Sequence, residues 1–466
     1  PPPPRLNCRR QRQMCIRDRA NIAGPGIAYL MGSDVNREPA EVSFNDMGLV
    51  FAQTPNMSES PAIQTINLTG GMNAVFKQNG WYQTVADSAK LEFGLKNTLT
   101  QAKLLGEVEF KSLEKEKPQR AISDSATFEF GPENELNTAY MEGDVVFESE
   151  EDGKQSRALA DEATFYFDES KIRSADLNGD VSVSSDTAKM TSLDATIEFS
   201  PDDSGSMQPA KVHTKGEAVL ETVPETKDAP PARFEARRID YDLQTGAGLA
   251  HGPIHFRFYQ PADDDSKNNE PWIPVTVTAD KNAVFVADEN KAVNQVIFNG
   301  NVLASRMQEM SNFEQLDDLH GEKLTVNLAK GLTGSTEISR ITMSEGDVYA
   351  QSKRLQGQKT ISIVKLDCSE VIFNEVEKQV LAKGPGEIQM DNSQVTASRA
   401  ASAGPGVDTS RPCYILVDDF DLIQWDLDKQ KIVADGQKDQ LKLAYIPLIN
   451  NAPEKFVYVN SMRFDL

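Results

Sequence analysis

The stretch Leu177 to Asp186, LNGDVSVSSD, decides how this chain is read. A glycine and an acid are followed by strict alternation. Val181 and Val183 point one way, and Asp180 and Ser182 point the other. That is the pattern of a β-strand with one buried face. Nearly the same phrase returns as MEGDVVFESE from Met141, FNGNVLASRM from Phe298 and SEGDVYAQSK from Ser344. Its glycine recurs at Gly106, Gly143, Gly179, Gly216, Gly252, Gly300, Gly346 and Gly386, with intervals of 37, 36, 37, 36, 48, 46 and 40 residues. A period of this kind marks an internal array rather than a succession of unrelated domains.

A companion phrase lies between the glycines. DSAKLEF starts at Asp87, DSATFEF at Asp124, DEATFYF at Asp161 and LDATIEF at Leu193, with looser versions further on. It too has period two and is rich in β-branched and aromatic residues, which suit a pleated, half-buried surface. Each glycine is expected to supply a bend or a positive φ where the chain swings into the next strand. The acid after it is expected on the outer face.

One unit of about 36 residues buries little apolar surface alone, whereas stacked units merge their inward stripes into one core or channel. The expected fold class is therefore all-β, an elongated repetitive antiparallel β-jellyroll or β-taco array. A parallel β-helix is the competitor, but this repeat is long for one coil. Insertions fall in the longer intervals: a polar loop over 260–274, and 307–321, which reads as an edge segment holding a short helix.

The boundaries follow from composition. Residues 1–20 are basic, lack an initiator Met and an apolar signal core, and read as a non-native leader to be set aside. An N-terminal segment spans 21–64, the repeat array 65–398, a linker or long loop 399–412 and a C-terminal β cap 413–466. With 48 Lys and Arg against 71 Asp and Glu, the formal net charge is −23, which argues against a basic nucleic-acid footprint. Hydrophobic residues make up 39% in short runs, so disorder is not expected, and no run approaches the roughly 20 apolar residues of a membrane-crossing helix.

Little in the chain points to catalysis. His251 and His255 are four apart in a strand-like phrase without the glutamate of a helical zinc motif, and His213 and His320 stand alone. There is no nucleophile elbow, P-loop or dinucleotide fingerprint. Paired carboxylates of a glycosidase type are better read as solvated charge, because the acids follow the strand repeat. The expectation is no enzyme, no metal and no cofactor. Whether Cys368 and Cys413 pair stays open, since sequence does not place them at disulfide distance.

The inward stripe is the candidate site. It comprises Val108, Phe110, Phe128, Phe130, Val145 and Phe147, then Phe165, Phe167, Val181, Val183, Ile197 and Phe199. These residues line either a closed core or a trough able to shelter acyl chains, and the pattern alone leaves both open.

The paired phrases resemble the OstA-like repeats of the LptA- and LptC-type lipopolysaccharide-transport proteins. The clearest stretches are ALADEATFYFDESKIRSADLNGDVSVSSD from Ala158 and AISDSATFEFGPENELNTAYMEGDVVFESE from Ala121. The resemblance implies a periplasmic β-jellyroll, with a membrane anchor before the native chain compatible with it. It further implies lipopolysaccharide or a related lipid as the ligand, and other jellyroll components of a transenvelope bridge, joined through end strands, as partners. The alternative is an exported structural or adhesion β-solenoid with a packed interior.

Overall fold

The computed structural model describes residues 19–465, apart from 31–39, 52–61, 95–97, 114–118, 202–206, 223–229, 262–271, 331–335, 396–410 and single or paired turn residues at 79, 134, 152–153, 170, 186–187, 290, 427, 430, 438–439 and 451. Most of the leader 1–20, the tip of the loop 260–274 and most of the loop 399–412 lie outside the described residues. The chain forms two compact units, Pro1–Gly216 and Glu217–Leu466.

In the first unit the described strands pair antiparallel, each with the next except Gly80–Ala86 and Ser88–Phe93, which both pair with Ile63–Gln78 before them and Leu99–Ser112 after them. The series Leu99–Ser112, Gln119–Phe130, Leu136–Glu151, Lys154–Asp168, Lys171–Ser185 and Ala188–Pro201 carries the repeat. Strands also occupy the N-terminal segment, as Arg19–Leu30 and Ala40–Phe51. The register breaks in the middle of each long strand, between Leu105 and Val108, Glu142 and Val145, and Asn178 and Val181. The Gly-acid dipeptide of the repeat sits at each break, so every long strand turns a corner and serves two half-sheets.

The corner explains the dipeptide. Gly143 has φ of 84° and Asp144 of 43°, and the Gly179–Asp180 pair repeats this at 75° and 45°. A Cβ on Gly143 would lie 2.3 Å from the Asp124 carboxylate, and one on Gly179 2.2 Å from that of Asp161. Glycine is thus required twice over, by backbone conformation and by the aspartate of the companion phrase packed over it. At Gly252 and Gly386 the expectation of positive φ does not hold, and cis Gly252–Pro253 and Gly384–Pro385 stand at these corners instead.

The second unit has the same organisation with a different beginning. Its first long strands are cut at the corner into separate pieces, such as Gly248–His251 with Ile254–Pro261 and Trp272–Ala279 with Asn282–Ala287. Later strands are continuous and longer, namely Val293–Glu309, Glu314–Lys330, Thr336–Gln356, Lys359–Asn374 and Gln379–Asp391. The expected helix within 307–321 is replaced by a hairpin. Arg306 pairs with Asp317 and Glu309 with Glu314 around a tight turn closed by Met310 N–H donating to Phe313 O. Its residues continue the strand alternation, which outweighs their polarity. The cap 413–466 is strand throughout its main elements, including Cys413–Asp426 and Leu441–Ile449.

Both units are therefore repetitive antiparallel β-taco, or jellyroll, stacks, and the parallel β-helix is excluded by antiparallel register. In the first unit cross-strand ion pairs sit on the outer face. Arg120 pairs with Glu109 at 2.6 Å and reaches Glu148 at 3.5 Å, and Arg157 reaches Glu148 from the other side. Such exposed cross-strand ladders contribute little each, about 0–1 kcal/mol, but they account for the acids without chemistry.

Candidate functional site

The inner face of the first unit is a checkerboard. Leu104, Ala126, Met141, Ala163, Leu177 and Ala195 stand side by side in register next to the corner. The row beyond them reads Ala102, Phe128, Ala139, Phe165, Ala175 and Ile197, with large and small exchanged. The opposite half-sheet continues the alternation as Phe110, Ala121, Phe147 and Ala158. Phe128, Phe147 and Phe165 are flanked by alanines on both neighbouring strands, and Phe110 by Ala121 and Thr84, so each has room to reach the other half-sheet. Phe110 meets Phe128 at 5.2 Å between ring centroids, and Phe147 meets Phe165 at 5.0 Å, both edge-on.

Depth divides the twelve sequence candidates. Val108, Val145 and Val181, at the corner, are at most 1% exposed and form a floor. Burial of each stabilises by roughly 1.5–3 kcal/mol relative to exposure. Phe110, Phe128, Phe130, Phe147, Phe165, Val183 and Ile197 are only partly buried and pack on that floor. Phe167 and Phe199, nearer the strand ends, are partly buried as well. The structure brings the cross-sheet pairs together and ranks the rest by distance from the corner.

Sequence reasoning missed the alanines. Ala126, Ala163 and Ala195 are at most 1% exposed, and their signal was the fixed Ala of the companion phrase two residues before its aromatic or isoleucine. Two cavities lie away from these rows. One of about 490 Å³ borders Phe44 and Met72, and one of about 470 Å³ borders Tyr414, Leu416, Ile446 and Tyr458; neither is lined by any of the twelve.

The second unit fills its interior differently. Phe234 contacts Phe256, Phe285 and Phe298 at 5.7, 5.2 and 6.4 Å, and Phe256 contacts Phe258 and Phe298 at 5.2 and 6.0 Å. Phe234 and Phe298 are 4% and 0% exposed, so the five rings close the space between the half-sheets at that level.

The polar side chains weighed for chemistry are engaged in ordinary pairs. His251 Nε2 lies 2.9 Å from Asp240 Oδ2, whereas His255 faces Glu235 at 3.7 Å. Among the described residues no group of three or more His, Cys, Asp or Glu side chains is placed to hold a metal ion. Cys368 and Cys413 are both buried and are not joined in a disulfide. Burial pushes the Cys368 thiol up to about 11.

These features define a class, a repetitive antiparallel β-taco scaffold with an apolar inner face. No family model matches the chain, and no curated protein matches it significantly. Among solved structures it is similar to LptH of Pseudomonas aeruginosa, described as the LptA-homologous periplasmic component of the lipopolysaccharide transport device. The two are 12% identical with a TM-score of 0.23, over 40% of this chain and 94% of that one.

Proposed function

We propose that this chain is a non-enzymatic periplasmic lipid-transport scaffold whose first unit shelters lipopolysaccharide acyl chains along its inner face during export to the outer membrane. The observation that carries this reading is the contrast between the buried valine floor and the partly exposed phenylalanine rows above it. A wall built only for packing has no need to leave a recurring set of aromatic rings partly exposed between alanines. The OstA-like phrases support the same ligand. End strands suit the implied jellyroll partners: Arg19–Leu30 pairs with Ala40–Phe51 along one edge and exposes Ile22, Ile27 and Tyr29.

A second reading, an exported structural or adhesion solenoid with a closed interior, is favoured by the five-ring cluster of the second unit. The two readings part on a fluorescence titration of the full chain with cis-parinaric acid. Lipid sheltering predicts a saturable gain that lipopolysaccharide displaces and that Phe110→Ser with Phe147→Ser weakens several-fold, with far-UV circular dichroism unchanged. No gain, or a gain indifferent to both, supports the closed scaffold.

A further inference from the structure

The long strands of the second unit carry a polar island on a largely apolar face, continued beyond Arg354 by the buried Ser362, which donates to Asn392 Oδ1. On Val293–Glu309 the inward positions after Val302 and Ala304 are Arg306 and Gln308. Register places Asp317 and Gln315 opposite them, and Ser352 and Arg354 on the strand beyond. The six form a grid of two rows on three neighbouring strands, spanning about 10 Å across at ~4.8 Å per strand. Val275 pairs with Arg306 on one side and Val364 with Ser352 on the other, and Phe258 and Met390 extend the same row.

Hydrogen bonding inside the grid leaves donors in excess. Asp317 Oδ2 accepts from Arg306 Nη2 at 2.7 Å and Nε at 3.2 Å, and Oδ1 accepts from Ser352 Oγ at 2.6 Å. Gln315 Nε2 donates to both carboxylate oxygens at 3.1 Å. The only carboxylate of the grid is thereby saturated. Gln308 is 5% exposed, yet its Nε2 donor has no partner. Arg354 rests over the Phe313 ring at 5.1 Å and pairs with no described carboxylate. Two guanidinium charges against one carboxylate leave the grid one unit positive, on a chain whose net charge is −23. A buried amide donor without an acceptor is costly, and it is relieved by a ligand that brings acceptors only.

We infer that this island binds a phosphate-bearing ligand, with Arg354 and Gln308 as its principal donors, Arg306 held in place by Asp317, and the flanking apolar row taking the tail of an amphiphile. Guanidinium and amide donors suit phosphate oxygens, and the valines on either side suit a hydrocarbon chain. The tail assignment rests on the lipid reading given above. The anion assignment does not.

Titration of the full chain with dodecyl phosphate, uncharged dodecyl glucoside and inorganic phosphate tests it, using Arg354→Gln and the near-isosteric Gln308→Met. The expected result is dodecyl phosphate binding at least about tenfold tighter than the glucoside, a preference worth ~1.4 kcal/mol. The two substitutions together should remove that preference and leave glucoside binding unchanged. Gln308→Met should leave thermal stability equal or raised, which a framework role for the amide does not predict. Inorganic phosphate binding that the variants abolish, with neither amphiphile bound, supports the anion site and rejects its lipid source along with the lipid reading. Equal binding of the two amphiphiles, unaffected by the variants, overturns the island while leaving lipid sheltering intact. Absence of binding by all three ligands overturns both.

Discussion

Phe147 and Phe165 belong to opposite half-sheets and meet edge-on, with ring centroids 5.0 Å apart and planes at 77°. They are not register partners; each faces alanines on its neighbouring strands, Ala121 and Ala158 for one, Ala139 and Ala175 for the other. Their contact is therefore a direct measure of closure between the half-sheets. A double-mutant cycle with Phe147→Ala and Phe165→Ala should give a coupling of about 0.5–1.5 kcal/mol in urea unfolding, beyond the burial each ring loses alone. Strict additivity would mean that the half-sheets do not touch there.

The corner should be intolerant of a Cβ for two separable reasons. Gly24 and Gly143 both have positive φ, but a Cβ on Gly24 meets nothing within 4 Å whereas one on Gly143 runs into Asp124. Gly24→Ala should cost roughly 1 kcal/mol from backbone strain alone. Gly143→Ala should cost clearly more, in the range of about 2–4 kcal/mol, read as the difference in urea midpoint at equal slope.

The alanine squares of the checkerboard should resist enlargement. Ala163 is 0% exposed between Met141 and Leu177 in register. Ala163→Leu adds methylenes where none fit and should destabilise by about 1–3 kcal/mol. Met141→Leu, nearly volume-conserving, should cost less than about 1.5 kcal/mol. Thermal unfolding of the two variants side by side checks the order.

The Cys368 thiol predicts a pH dependence with a definite sign. Its pKa rises from 9.0 to about 11 on folding, with burial the largest cause. Below pH 9 both states keep the proton and the group adds no dependence. Between about 9 and 11 the unfolded chain loses it first, so stability falls as pH rises through that window. Cys368→Ala should show a shallower fall over the same window, and the native protein should resist iodoacetamide at pH 8 until it is unfolded.

Much of the architecture was legible in the sequence because a strand with one buried face writes its side-chain direction into every second residue. Val181 and Asp180 could be assigned to opposite faces on that ground, and the repeated glycine to a bend. Alternation gives direction but not depth, so it could not separate Val145 on the floor from Phe147 above it. It also gave no weight to Ala163, whose role depends on Met141 and Leu177, brought beside it from neighbouring strands only through register. The stretch after Met307 was misjudged for the opposite reason. Its polar residues suggest an edge excursion, yet Arg306 and Gln308 keep inward register and lengthen the strand, which makes the polar island invisible to any rule that equates inward with apolar. The separation of Cys368 from Cys413 depends on tertiary placement that spacing does not encode.

The central claim is that the partly open phenylalanine rows of the first unit meet acyl chains. Photocrosslinking tests it most directly, with a photoreactive residue placed in turn at Phe128, Phe165 and Val181 and at the outward controls Glu107 and Asp180, in an extract containing lipopolysaccharide. The account predicts lipid adducts at Phe128 and Phe165, few at Val181 on the buried floor, and none above background at Glu107 and Asp180. Labelling that is equal at all five positions, or absent from Phe128 and Phe165, would contradict it.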